Sequence, residues 1–117
     1  MRHKKHKYKL NCAPSHRKSL VKGLSAEVID HGKIKTTSAR CKALRPVVEK
    51  LITLAKIDSV ANRRLAFRKL NNDKAVKKLF AEVAPKYVDR KGGYTRITKF
   101  AETRLGDGAE LSYLSLV

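Results

Sequence analysis

The first 26 residues of this chain carry eight Lys or Arg side chains and no Asp or Glu. A segment charged in this way repels itself, and it holds too few apolar groups to fold alone. It gains order only beside a dense negative charge. We therefore predict that residues 1–14 form an irregular basic arm and that residues 15–117 form a single domain.

The positive charge continues along the rest of the chain. In 117 residues, 28 Lys and Arg side chains stand against 10 Asp and Glu, which gives a formal net charge of +18. Such a body attracts polyanions, because each phosphate that it contacts releases condensed counterions. A hydrophobic content of 42% is enough for one modest core. These values indicate a small folded protein with a nucleic-acid partner.

Apolar residues at helical spacing, together with cap and turn residues, predict four helices. The first runs from His16 to His31, with Pro14 as a stop for any earlier helix, Ser15 as the N-cap and Gly32 as the C′ residue. The second runs from about Ser38 to Lys56, with a bend or break at Pro46, and its buried face consists of Cys41, Leu44, Val48, Leu51, Ile52 and Ala55. The third runs from Val60 to Leu70, with Asp58 or Ser59 as its cap, and the fourth runs from its cap Asp73 to Pro85.

Short stretches rich in β-branched and aromatic residues predict three strands, at residues 33–37, 94–101 and 110–117. The last two can pair as an antiparallel hairpin. The predicted order is therefore α-β-α-α-α-β-β. This order favours a two-layer α+β domain in which helices pack on one small sheet.

The arm is the first candidate site. Arg and Lys bind phosphate oxygens, His can donate a hydrogen bond to phosphate or stack on a base, and Tyr offers a stacking surface. The arm residues with this chemistry are Arg2, His3, Lys4, Lys5, His6, Lys7, Tyr8 and Lys9. We predict that they contact nucleic acid.

A metal site near the arm is the next possibility. His3 and His6, together with Cys12 and His16, supply four possible ligands. Structural zinc sites usually use two or more cysteines at close spacing, and that spacing is absent here. The lysines between the histidines also disfavour a dication. We predict no metal and no other cofactor.

Catalysis is poorly supported by the sequence. The ten carboxylates are scattered, and no nucleophile, base or phosphate-loop spacing is present. Gly92 and Gly93 precede a strand, whereas a loop that cradles phosphate should open a helix. We therefore predict a protein that is not an enzyme. A small RNA-acting enzyme is a less favoured alternative.

A DNA-binding nucleoid or regulatory protein is the main alternative. The predicted third helix carries Arg63, Arg64 and Arg68, and a short turn separates it from the helix before it. Helix-turn-helix units share this arrangement. The signal is weak, since helical hairpins are common and exposed Arg more often contacts phosphate or solvent.

The location of the protein follows from its apolar runs and its cysteines. No stretch approaches the 18 apolar residues that a membrane span requires. Two cysteines, Cys12 and Cys41, are too few for a disulfide scaffold, and Cys41 is expected in the core. We predict a cytoplasmic protein.

Several blocks of the sequence resemble one known family. They are Met1-Arg2-His3, Leu10-Asn11, Ser15-His16-Arg17, Ile34–Thr37, Leu51–Lys56, Asp58–Phe67 and Gly92–Ile97. In register over nearly the whole chain, they resemble the bacterial large-subunit ribosomal protein seventeen family. Cys12 departs from the pattern, because the family often has a basic residue there.

The resemblance implies a non-catalytic structural constituent of the large ribosomal subunit, with the α+β fold described above. It implies binding to 23S ribosomal RNA near the peptide-exit side, next to neighbours that include ribosomal protein thirty-two. Family blocks and side-chain chemistry together predict further RNA contacts at Asn11, Ser15, His16, Arg17, Lys18, Lys22, Lys35, Thr36, Thr37, Asn62, Arg63, Arg64, Arg68, Arg90, Tyr94 and Arg96. Asn62 could equally well be structural.

Deletion of residues 2–9 tests the role of the arm. The domain should stay folded, because the arm contributes little to the core, but incorporation into assembling large subunits should fall sharply. Circular dichroism of the variant and its yield in purified subunits measure the two effects. Normal incorporation would show that the arm is not needed.

Overall fold

The structure, a computed structural model, describes residues 8–117, in which a run of helices is interrupted by one strand and followed by two more. The elements are α1 (Pro14–His31), β1 (Lys33–Thr37), α2 (Ser38–Ala55), α3 (Val60–Leu70), α4 (Asp73–Lys78), β2 (Thr95–Thr103) and β3 (Glu110–Leu116). A π-helical turn (Leu79–Val83) and a 3₁₀ turn (Ala84–Tyr87) extend α4. The α+β class and the predicted order are confirmed. The predictions made for Arg2, His3, Lys4, Lys5, His6 and Lys7 lie outside the described residues.

The three strands form one antiparallel sheet in the order β1-β3-β2. The last strand of the chain is thus the central one. Leu114 on β3 lies opposite Ile34 on β1 and Ile97 on β2, and it is completely buried. The predicted hairpin of the last two strands is confirmed.

The helices pack against one face of this sheet, with α2 nearest to the central strand. The hydroxyl oxygens of Ser38 and Ser112 are 2.6 Å apart, and the Cys41 thiol donates to the Ser112 carbonyl oxygen at 3.7 Å. Burial raises the pKa of Cys41, as a thiolate there would lose its hydration. The six residues predicted for the buried face of α2 are all buried. Between residues 8 and 117, no helix is both long and apolar enough to cross a membrane.

Helix caps differ from the predictions in two places. Helix α1 begins at Pro14 rather than at His16, and Ala13, not Ser15, occupies the N-cap position. Proline suits the first helical position because its missing N–H would have no intrahelical partner and its φ is already helical. Asn72, not Asp73, caps α4, and its side chain accepts a hydrogen bond from the Ala75 N–H at 3.1 Å.

The other caps agree with the sequence. Ser59 accepts a hydrogen bond from the Asn62 N–H at 3.1 Å and so caps α3. Gly32 ends α1 with a φ of 76°, and its N–H donates to the Val28 carbonyl oxygen at 2.7 Å. That left-handed conformation favours glycine because it has no Cβ.

Two prolines interrupt their helical segments less than the sequence predicts. Helix α2 runs through Pro46 without a break. A proline inside a helix costs about 3 kcal/mol or more. Burial of Leu44 and Val48, on either side of it, offsets that cost because each contributes about 1.5–3 kcal/mol. Pro85 likewise lies within the 3₁₀ turn, so the helical segment continues past it to Tyr87.

Replacement of Leu51 by Ala tests the packing of α2. Leu51 is completely buried, so the loss of its side chain should lower the free energy of unfolding by about 2–5 kcal/mol. Chemical denaturation measures this value. Leu65→Ala is the control, because Leu65 is 41% exposed and its loss should have a much smaller effect. Equal stability of the Leu51 variant and the wild type would contradict the assigned core.

Candidate nucleic-acid interface

A basic groove runs between α1 and α2 and reaches the end of α3. We call it the α1–α2 groove, and it is lined by Tyr8, Arg17, Lys18, Val21, Lys22, Ala43, Pro46, Val47, Lys50, Arg68 and Lys69. Six of these eleven residues are Lys or Arg, and none is acidic. The floor is apolar, and the rim is positively charged. Five of the predicted site residues thus come together in one place: Tyr8, Arg17, Lys18, Lys22 and Arg68.

Helical spacing explains why these side chains share one groove. On α1, Lys18, Val21 and Lys22 are three and four residues apart and therefore lie on one face. On α2, the same spacing places Lys50 beside Pro46 and Val47. Like charges at positions i and i+4, such as Lys18 and Lys22, repel each other slightly. That repulsion falls when an anion binds between them.

The positive charge of the groove is not neutralised, because most acidic residues pair with cations outside the groove. In the part of the chain that the structure describes, eight of the ten Asp and Glu residues lie within ion-pairing distance of a Lys, Arg or His side chain, and none of those partners lines the groove. Within residues 8–117, no groove cation forms an ion pair with a carboxylate. Six cations around an apolar floor therefore act together on any anion that approaches.

A second concave surface lies beside the groove, on α3 and α4. We call it the α3 concavity, and it is lined by Lys22, Val60, Arg63, Arg64, Phe67, Arg68, Asn71, Asp73, Val76 and Lys77. Lys22 and Arg68 line both surfaces, so the two form one continuous basic area.

Arg63 is the most constrained cation of the α3 concavity. It donates to both carboxylate oxygens of Asp58, through Nε at 2.7 Å and Nη2 at 2.9 Å, and its guanidinium lies 5.1 Å from the centre of the Phe80 ring. These hydrogen bonds hold the pKa of Asp58 below its usual range. Arg64, by contrast, forms no ion pair within residues 8–117 and can point freely toward a ligand.

Two predicted contacts, Asn62 and Tyr94, hold the fold together instead. The Asn62 amide donates to the carbonyl oxygens of Leu54, at 3.2 Å, and Ile57, at 2.8 Å, and so ties the end of α2 to the start of α3. Tyr94 is 1% exposed, so its ring offers no face to a partner. Its hydroxyl donates to the Arg90 carbonyl oxygen at 3.1 Å. A hydrogen bond with Lys56, and then one with Thr53, lowers the pKa of Tyr94.

The predicted contacts at the start of α1 lie on the surface. Lys9, Ser15 and His16 are exposed. Leu10 and Asn11 both have a positive φ, at 57° and 52°, and the Cys12 N–H donates to the Lys9 carbonyl oxygen at 3.3 Å. Two successive left-handed residues are uncommon without glycine, and here the hydrogen bond from Cys12 to Lys9 closes a tight turn around them. Asn11 therefore helps to set the direction in which the chain before α1 leaves the helix.

The remaining predicted contacts lie around the sheet. Lys35, Arg90 and Arg96 are exposed, and Thr36 is half-buried. Thr37 caps α2, and its hydroxyl accepts a hydrogen bond from the Arg40 N–H at 3.4 Å.

The structure also adds residues that the sequence prediction omitted. Lys50 and Lys69 line the α1–α2 groove. Lys50 could have been found, since it follows Ala43, Pro46 and Val47 at helical spacing. Nothing local marks Lys69, because its place in the groove depends on how α3 packs against α1. No group of three or more His, Cys, Asp or Glu within residues 8–117 could hold a metal ion, and the pair His3 and His6 lies outside that range.

Comparison with known families identifies the chain. A family model described as "Ribosomal protein L17" matches residues 20–117. The chain belongs to the ribosomal protein L17 family. Members are non-enzymatic structural constituents of the large ribosomal subunit, within the ribosome of the cytoplasm, and they associate with ribosomal RNA and other ribosomal proteins. The resemblance noted in the sequence is confirmed.

The match to ribosomal protein L17 covers most of the basic area. It begins at residue 20, within α1, and so includes four of the six groove cations: Lys22, Lys50, Arg68 and Lys69. Arg17, Lys18 and the segment before them lie outside the matched range.

Removal of two shared charges tests the basic area. The double variant Lys22→Gln/Arg68→Gln should bind structured RNA more weakly. The slope of log affinity against log salt should become shallower by about 0.7–0.9 for each phosphate that the variant no longer neutralises. Filter binding at several salt concentrations measures both quantities.

The double variant Lys86→Gln/Lys91→Gln is the matched control. It removes the same net charge from exposed residues that line neither surface. Its affinity for structured RNA should fall less than that of the Lys22→Gln/Arg68→Gln variant. Equal decreases in the two double variants would show that only net charge matters.

Proposed function

We propose that this member of the L17 family binds and organises 23S ribosomal RNA in the large subunit. The contacts would come from the basic arm, the α1–α2 groove and the α3 concavity. The observation that carries the proposal is the groove itself, where six cations lie together and no lining residue is acidic. Ribosomal RNA is the polyanion that a large-subunit protein meets.

Charge neutralisation is the physical basis of this function. RNA helices that approach each other closely repel through their phosphates. A cationic body placed between them removes this repulsion and releases counterions to the solvent. If about six phosphates are contacted, the affinity should fall on the order of a thousandfold over a fourfold rise in salt. The protein would thus stabilise a compact RNA arrangement without any chemical step.

The arm and the groove would act on the same RNA surface. Tyr8 lines the α1–α2 groove, and it directly follows the most basic part of the sequence. We propose residues 1–14 as the RNA-binding arm and residues 15–117 as the single domain. Arg2, Lys4, Lys5 and Lys7 would then continue the row of phosphate contacts.

The position in the subunit follows from the same proposal. We place the protein near the peptide-exit side, with ribosomal protein thirty-two among its neighbours, because the resemblance to the bacterial family implies this. The DNA-binding alternative is less well supported. On α3, which would have to read the base edges, Arg63 is held by Asp58 and the Asn62 amide is held by two carbonyl groups.

Crosslinking within purified large subunits tests the proposal. Mapping of the attached peptides and nucleotides should join groove lysines such as Lys18, Lys22 and Lys50 to 23S ribosomal RNA. Lys86, which lies outside both basic surfaces, should give fewer crosslinks. Recovery of the protein with chromosomal DNA instead of the large subunit would favour the alternative.

A further inference from the structure

The sheet has a second face, opposite to the helices. Ser112 and Leu114 on β3 point toward the helices, so Leu111, Tyr113 and Ser115 point the other way by the alternation of side chains along a strand. With their neighbours on β1 and β2 they form what we call the open sheet face: Lys33, Lys35, Thr37, Arg96, Thr98, Phe100, Leu111, Tyr113 and Ser115. None of these nine residues is buried, three are basic and none is acidic.

Two aromatic rings lie at the centre of the open sheet face. The Phe100 and Tyr113 ring centres are 4.6 Å apart, with an angle of 49° between the ring planes. The Lys33 ammonium nitrogen lies 3.9 Å from the centre of the Tyr113 ring, and that of Lys35 lies 4.5 Å from the centre of the Phe100 ring. Aromatic surface and positive charge are therefore combined within one small area.

We propose that the open sheet face binds an unpaired stretch of RNA. Bases would stack on Phe100 and Tyr113, and phosphates would pair with Lys33, Lys35 and Arg96. This inference rests on the RNA partner proposed above, but it names a different surface and a different form of RNA. Aromatic side chains on an antiparallel sheet are a common stacking surface for unpaired bases.

The lysines over the rings do not block this binding. Stacking of a base on an aromatic ring is stronger than the contact of an exposed ammonium group with the same ring. A base can therefore take the ring face. The displaced ammonium group, on its flexible side chain, then lies close to the phosphate of that nucleotide. The free protein thus holds the cations within side-chain reach of the phosphates of the bound RNA.

The choice of unpaired RNA follows from the chemistry of the face. Bases inside a duplex are stacked on each other and cannot reach the rings. An acidic peptide would pair with the three cations, but it would leave the two rings without a matching group. Cross-strand aromatic pairs also stabilise hairpins. That role alone does not require three cations beside the ring pair.

The test uses the full-length protein with a short uridine homopolymer, an RNA duplex of the same length and a folded fragment of 23S ribosomal RNA. The double variant Phe100→Leu/Tyr113→Leu should bind the homopolymer about tenfold or more weakly. Its affinity for the folded fragment should change much less, since the α1–α2 groove is intact. Fluorescence anisotropy measures each affinity.

Two control variants separate stacking from folding, and a third variant replaces the leucine variant if that one does not fold. The double variant Phe100→Tyr/Tyr113→Phe keeps both rings and should bind the homopolymer like the wild type. Val88→Ala removes exposed apolar surface elsewhere and should also bind normally. If the leucine variant does not fold, Lys33→Gln/Lys35→Gln leaves the ring pair in place and should still weaken binding. Ultraviolet crosslinks from the homopolymer should appear in peptides that contain Phe100 or Tyr113.

Each result decides a definite question. Wild-type affinity of the leucine variant for the homopolymer, or no crosslink to either ring, would overturn the inference. So would tighter binding of an acidic peptide than of the homopolymer, or an equal loss of affinity for the duplex and for the homopolymer in the leucine variant. If the wild type binds the folded fragment but not the homopolymer, this inference alone fails. If it binds no RNA at all, the proposed function fails as well.

Discussion

The packing of α2 on the central strand β3 holds the other elements in place. Ser38 and Ser112 meet through their hydroxyl groups although they are far apart in the chain, and the Cys41 thiol reaches the same strand. Among the described residues, strands β1 and β2 pair only with β3, so neither belongs to a sheet until β3 is in position. On its other side, α2 packs against α1 and α3 and so forms the wall of the basic groove. A contact in the core therefore determines the shape of the charged surface.

The distribution of charge is a second constraint, and it acts against the stability of the isolated protein. A formal charge of +18 on 117 residues creates strong self-repulsion. The few carboxylates reduce it locally, at pairs such as Asp58 with Arg63 and Asp107 with Arg104. They do not reach the α1–α2 groove. An RNA partner removes the remaining repulsion, so binding and folding stability favour the same state.

The two layers of the fold present two kinds of surface. The helical layer carries cations around an apolar groove, which suits the irregular outline of folded RNA. The sheet layer carries Phe100 and Tyr113 between Lys33 and Lys35, which suits individual bases. We infer that this protein contacts RNA on both sides of its core. A small protein with one sheet can serve two RNA segments in this way, because each layer has one face that the core does not need.

Much of the fold could be predicted from the sequence, because its signals are local. The spacing from Cys41 to Ala55 indicated the buried face of α2, and Gly32 marked the end of α1. The errors at Ser15 and Pro85 have one cause. Each residue has a local preference that its position in the folded chain can override.

By itself, the sequence determined the charge, the elements and the family of this protein, since these depend on composition and on neighbours along the chain. The tertiary structure alone decided which cations act together. Lys50 and Lys69 line the groove although the sequence did not predict it, and Tyr94, predicted at the surface, is buried in the core. Helix packing brings together residues that are distant in the chain. The pairing of Phe100 with Tyr113 likewise depends on strand register, which no single segment encodes.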